Sequence, residues 1–184
     1  MIGKHSPQLT RNTGLAEAIR IGLDDALTAL EEAFYDLSDE QIRSFPIPGR
    51  NNIAWIIMHT LQNLDTYANA FQTGERALTH EERWDLWRCS EDQRPKPGDA
   101  FPPKRKMMDA LRAVRDAAME GIAVAVEGDL RGSRMAESWW GERTSADAYM
   151  RTIFHTMAHA RQIWLLRGAL GIIDGMSWPR QHWT

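Results

Sequence analysis

Between Leu15 and Leu37 apolar side chains recur at every third or fourth position: Leu15, Ile19, Leu23, Ala26, Leu27, Leu30, Phe34 and Leu37. A 3.6-residue repeat puts them all on one face, so the stretch predicts a long helix that must bury that face. The pattern returns further along. Ile53, Ile56, Ile57, Leu61, Leu64, Ala68 and Phe71 predict a second helix ending near Thr73. Met107, Met108, Leu111, Val114, Ala118, Ile122 and Ala125 predict a third that starts near Pro103, and a fourth runs to about Leu170. No stretch reads as a strand. Helices of this length, each with one apolar face, predict an all-α four-helix bundle.

Local signals place the ends. Asn12 or Thr13 can cap the first helix, and Ser38 with Gln41 has the spacing of a capping box that restarts the chain in a short helical turn. PIPG at 46–49 breaks that turn, and Asn51 or Asn52 caps the second helix, which Gly74 ends. Gly128 closes the third helix. A polar loop with Trp139, Trp140 and Gly141 follows, then a cap at Thr144 or Ser145, and Gly171 stops the fourth helix. Residues 75–103, rich in proline, glycine and mixed charge, form a long crossover between helices 2 and 3 that can span the bundle end to end. An up-down-down-up order is therefore allowed. The whole of 1–184 reads as a single domain.

Charge and cysteine narrow the partners. Twenty-two Lys and Arg against twenty-five Asp and Glu give a formal net charge of -3, which offers no basic excess for a nucleic-acid backbone. Cys89 is the one cysteine, so an intrachain disulfide or a Cys-X-X-Cys pair is excluded; it lies in the charged loop and reads as a free thiol. With no signal-peptide-like core at the N-terminus and no run of eighteen apolar residues, the expectation is a cytoplasmic protein with no membrane contact.

Of six histidines, His59, His155 and His159 carry the functional argument. His155 and His159, four apart on the fourth helix, project from one face and can address one metal ion. His59 stands among Ile56, Ile57 and Leu61 on a face expected to turn inward, and facing helices of a bundle are where such proteins assemble metal sites. The alternative is a set of core imidazoles hydrogen-bonded to neighbours. His80 belongs to the crossing loop and reads as exposed.

Residues 37–65, LSDEQIRSFPIPGRNNIAWIIMHTLQNLD, and 155–171, HTMAHARQIWLLRGALG, carry a wider likeness. A proline turn leads to a helix with a single histidine. A closing helix has His-x3-His followed by Gln162, Ile163, Arg167 and Gly171, and an aromatic end follows at Trp178 and Trp183. In order, spacing and total length the chain resembles the DinB/YfiT superfamily of small metalloenzymes. That resemblance implies an up-down-down-up bundle, a divalent metal ion (zinc or nickel) at His59, His155 and His159, and a homodimer. Characterised relatives include thiol-dependent S-transferases and a mycothiol-dependent maleylpyruvate isomerase, so a small-molecule substrate and a low-molecular-weight thiol cosubstrate are implied. The candidate activities are thiol transfer and hydrolysis of a small molecule. A non-catalytic, stress-related bundle that binds a metal or small molecule is the alternative, and a plain helical module with core histidines a third.

Three neutral imidazoles leave the full charge on a bound divalent ion, which makes it a strong Lewis acid. Metal-bound imidazoles usually donate their second N–H to a nearby acceptor. Gln162, three after His159, and Gln62 and Asn63, three and four after His59, are candidates for that role. Trp55, four before His59, can wall the pocket. Arg151, Arg161 and Arg167 are candidates to attract an anionic substrate.

Overall fold

In the computed structural model, residues 14–78, 94–135 and 142–172 are described. The first helix, α1 (Leu15–Phe34), buries Ile19, Leu23, Ala26, Leu27, Leu30 and Phe34, the face that its spacing selects. Gly14 stands at its N-cap without a side-chain bond; Asn12 and Thr13 lie outside the described residues. The short α2 (Asp39–Arg43) opens with the full capping box: Ser38 Oγ accepts from the Gln41 N–H, and the Gln41 side chain accepts from the Ser38 N–H. Asn52 caps α3 (Ile53–Leu64). Its Oδ1 accepts the Trp55 N–H at 2.9 Å while its Nδ2 donates to the Arg43 carbonyl at 3.1 Å, which ties the proline turn to the helix it precedes.

One departure from the sequence reading lies inside the second long helix. Residues Asp65–Ala70 form a π-helical turn before α4 (Phe71–Thr73), which ends at Gly74 with φ +83°. Side chains here compete for carbonyls that a regular helix would use. The Thr66 hydroxyl donates to the Gln62 carbonyl at 2.8 Å, and Gln72 Nε2 donates to the Tyr67 carbonyl at 2.9 Å. Asp65, the first residue of the turn, is fully buried and ties it to the chain beyond the helix, its Oδ1 accepting from the Ala77 N–H at 2.7 Å and from Asn69 Nδ2 at 3.2 Å.

The third long helix, α5 (Lys104–Val124), starts after Pro103 as expected but stops before Gly128. The chain turns extended at Ala125 and Val126 and restarts as α6 (Glu127–Arg131), which contains Gly128. Beyond it, part of the expected polar loop is a two-stranded antiparallel ribbon, β1 (Ser133–Met135) paired with β2 (Glu142–Thr144). Trp139, Trp140 and Gly141 lie outside the described residues, as do His5, His80, His182, Cys89, Trp178 and Trp183. The last helix, α7 (Ser145–Ala169), begins with a second capping box between Thr144 and Asp147.

Side-chain contacts set the direction of each long helix. A Cβ on Gly22 would lie 3.2 Å from Ile153, and further along both helices Arg167 reaches Ala33 and Asp36, so α1 and α7 run parallel. Arg115 meets Asp24, Thr28 and Glu31 while Lys104 meets Tyr35 and Asp39, which makes α5 antiparallel to α1. Asn69 reaches the Val114 carbonyl and Thr73 approaches Gly121, so α3 with its π-turn runs parallel to α5. Gln72 meets Ser145 and His59 meets His155, so α3 is antiparallel to α7. The order is up-down-down-up, with α3 against α7 on one side of the core. No described helix is long and apolar enough to cross a membrane.

Candidate metal centre

Antiparallel packing of α3 on α7 brings three imidazoles together from positions 96 residues apart. His59 Nε2 lies 3.1 Å from His155 Nε2, and His159 Nε2 lies 3.1 Å from the same atom. The candidate ligand nitrogens all fall within 4.8 Å of one another. His59 is buried, and His155 and His159 are half-buried.

A tautomer is favoured at His159. Its Nδ1 stands 2.8 Å from Gln162 Oε1, an oxygen that can only accept, so Nδ1 carries the proton and Nε2 turns a bare lone pair toward the other rings. His155 Nε2 has at most one proton, enough for one of its two neighbours. The cluster therefore cannot satisfy itself through N–H···N bonds, whereas a cation between the rings uses every lone pair. The 3.1 Å separations match bonds of about 2.0–2.1 Å meeting at about 100°. These residues fit a divalent ion.

Burial is the main cause pushing the His155 ring down to about 3; the nearby His159, His59 and Arg151 add to it. Burial also lowers His159, against a smaller opposing effect of its bond to Gln162. Both rings are thus neutral at pH 7, the form that ligates. An unfolded histidine takes up its proton near 6.5 while the folded ring stays neutral well below that, so stability is fully present above about 6.5 and is lost as the pH falls. From the His155 proton, chelator-treated protein is expected to lose about 1.4 kcal/mol per pH unit between about pH 6.5 and 4. Thermal unfolding across that range checks this, and His155→Ala should flatten the slope.

Other sequence candidates fall into place around the rings. Trp55 is 4% exposed and stacks face to face on His59, centroids 4.9 Å apart and planes 7° off parallel. Its indole N–H is buried without a hydrogen-bond partner. Asn63 Oδ1 and His155 Nδ1 are likewise buried without one, so neither Asn63 nor any other described side chain supports His155 Nδ1. Gln62 accepts from Thr66 through its carbonyl. Gln162 Oε1 stands 2.8 Å from His159 Nδ1, the geometry of a supporting bond to that ring.

The three arginines part company. Arg167 is fully buried and forms a forked ion pair with Asp36, at 2.5 and 2.9 Å, while its guanidinium lies 4.5 Å from the Trp164 ring centre. It braces α7 on the end of α1 and does not serve the site, contrary to the sequence expectation. Arg161 is exposed. Arg151, one turn before His155, is half-buried with its guanidinium carbon 6.0 Å from the Tyr67 ring centre. The sequence reading missed Tyr67; its position eight residues after His59, two turns along the same helix, was the available signal.

Comparison with known proteins agrees with this architecture. No curated protein matches the chain significantly. Among solved structures, a conserved protein from Enterococcus faecalis aligns with a TM-score of 0.64 at 16% identity, over 86% of this chain and 99% of that one. YfiT from Bacillus subtilis, described as a probable metal-dependent hydrolase with an unusual four-helix bundle topology, aligns with a TM-score of 0.58 at 15% identity, over 92% of this chain and 95% of that one. Likeness at such low identity speaks to the fold. The DinB superfamily model matches residues 23–163, from within α1 to within α7, and includes all three histidines. By that match the chain belongs to the DinB superfamily.

Proposed function

We propose that the chain is a metal-dependent enzyme acting on a small molecule, with a divalent ion held by His59, His155 and His159. The observation that carries the reading is the convergence of three Nε2 atoms on one point while Gln162 engages the far side of His159. When bound, the ion supplies Lewis acidity for activating a nucleophile and polarising an electrophile. The protein's own part is to bind, orient and shelter: Trp55 closes one side against water, and Gln162 fixes the ring of His159.

Three protein ligands leave positions open for substrate, as in catalytic rather than structural sites. Hydrolysis is the favoured reaction, supported by the likeness to YfiT; transfer of a low-molecular-weight thiol is the second, supported by the family resemblance. Zinc or nickel suits an all-imidazole set. The cytoplasm is the proposed setting. A homodimer is proposed through the outer face of α7, where Met150, Phe154 and Leu165 share one exposed stripe and Phe154 and Leu165 are each 66% exposed.

The test is metal analysis of the untagged protein, followed by stripping and reloading with zinc or nickel. Assays would use nitrophenyl esters for hydrolysis and thiol addition to an aryl chloride for transfer. Turnover is expected to vanish on stripping and return on reloading. Gln162→Ala should weaken metal affinity about 10–100-fold with the fold unchanged, since this side chain is exposed. A metal bound with no turnover in either assay would favour the non-catalytic alternative.

A further inference from the structure

The Trp55 side chain is 4% exposed, and its indole N–H is buried with no hydrogen-bond partner among the described residues. A buried donor left unmet is unfavourable, and native structures keep few of them. An indole N–H can donate and never accept, so whatever satisfies it must bring a lone pair.

This donor stands beside the histidine cluster. Stacking at 7° off parallel holds the Trp55 ring plane alongside that of His59, with centroids 4.9 Å apart. The indole N–H lies in the first plane and the His59 Nε2 lone pair in the second, so the two groups are confined to nearly parallel planes no more than 4.9 Å apart. An atom held near Nε2 on the Trp55 side of the His59 ring therefore falls between them. Register gives the level. Gln72 meets Ser145 and His59 meets His155, so contacts descend α7 as they ascend α3, and Trp55, one turn before His59, is level with His159 to Ile163. Here the cluster reaches the surface: His159 is half-buried and Gln162 is exposed.

We infer that the Trp55 indole N–H donates a hydrogen bond to an oxygen of the substrate, and that the substrate is a carbonyl compound such as an ester or amide. This rests on the metal-dependent reading above and adds to it a substrate-binding residue and a substrate class. A carbonyl oxygen gains negative charge as a nucleophile adds to its carbon, and a donor already fixed in a water-poor site stabilises that charge more than it does the starting carbonyl. Trp55 keeps its proton throughout and forms no covalent bond.

Nitrogen–proton NMR of the zinc-loaded protein reads the indole N–H directly. Acetohydroxamate reaches zinc through oxygen and carries a carbonyl; ethanethiol reaches it through sulfur and has no oxygen. Acetohydroxamate is expected to move the Trp55 indole proton downfield and to slow its exchange with solvent, and ethanethiol to do neither. The resonance is assigned in the wild type through its proximity to the His59 ring, so this reading needs no variant. Calorimetric titration supplies a second measure. Trp55→Phe keeps a ring against His59 and removes the donor, so acetohydroxamate should bind about tenfold more weakly while ethanethiol binds as before. An indole proton that acetohydroxamate leaves in place would overturn the inference, as would a loss in Trp55→Phe that is equal for both ligands.

Zinc affinity of the wild type is measured first. If zinc does not bind, the metal reading fails and the donor, which needs a ligand held at the cluster, falls with it. If zinc binds and the indole proton does not respond, the donor alone is lost and the metal reading stands.

Discussion

Zinc added to the chelator-treated protein is expected to raise its melting temperature, and the double variant His155→Ala, His159→Ala is expected to lose the rise altogether. A ligand at a hundred times its dissociation constant stabilises the folded state by about 2.7 kcal/mol. For a chain of this size that is an increase of about 5–10 °C. Removing two of three nitrogens leaves His59 as a single ligand, so the loss of affinity should exceed the 10–100-fold that an outer supporting group costs. Metal-free, the double variant should melt no lower than about 10 °C below wild type, because neither ring is fully buried and burial of imidazole nitrogens is itself unfavourable. Scanning calorimetry with and without zinc reads both quantities. An undiminished zinc shift in the double variant would show that the ion binds elsewhere.

The second large effect concerns stability and lies at the far end of the same helix. Asp36→Ala leaves the fully buried guanidinium of Arg167 without its carboxylate. Breaking a buried pair from one side typically costs about 3–5 kcal/mol. Asp36 is 36% exposed on its side chain, so solvent shares part of that burden and about 2–4 kcal/mol is expected. The melting temperature should then fall by about 5–15 °C. Replacing both partners with apolar residues, Asp36→Leu with Arg167→Met, should recover much of the loss, since no charge is then left buried. Glu17→Ala, which removes an exposed pair with Arg20, should leave the melting point unchanged. A double variant less stable than Asp36→Ala would show that the pair itself, and not the stranded cation, holds the two helices together.

These two sites also show what the sequence makes legible. The helices and most of their caps follow from spacing and local chemistry: the buried face of α1, the capping boxes at Ser38 and Thr144, and the Asn52 cap all depend on residues within one or two turns. The histidine cluster is legible because two ligands share a helix face and the third sits among buried aliphatic neighbours. Contacts made at long range are not legible in this way. Asp65 holds the π-turn through Ala77, twelve residues away, and Arg167 finds Asp36 across 131 residues. Nothing near Arg167 in sequence separates it from Arg151, yet one braces the bundle and the other borders the cluster. The ribbon of three-residue strands leaves no signal in the sequence, because segments this short carry no alternating pattern.

Parallel pairing of α1 with α7 has a consequence for the order of assembly. The apolar face of the first helix to leave the ribosome is covered in part by the last, so until Ser145–Ala169 has been synthesised that face lacks one of its partners. His155 and His159 arrive in that same final segment. A nascent chain therefore holds one of the three clustered imidazoles and an incomplete core together, so the full three-histidine set forms only at the step that also finishes the bundle.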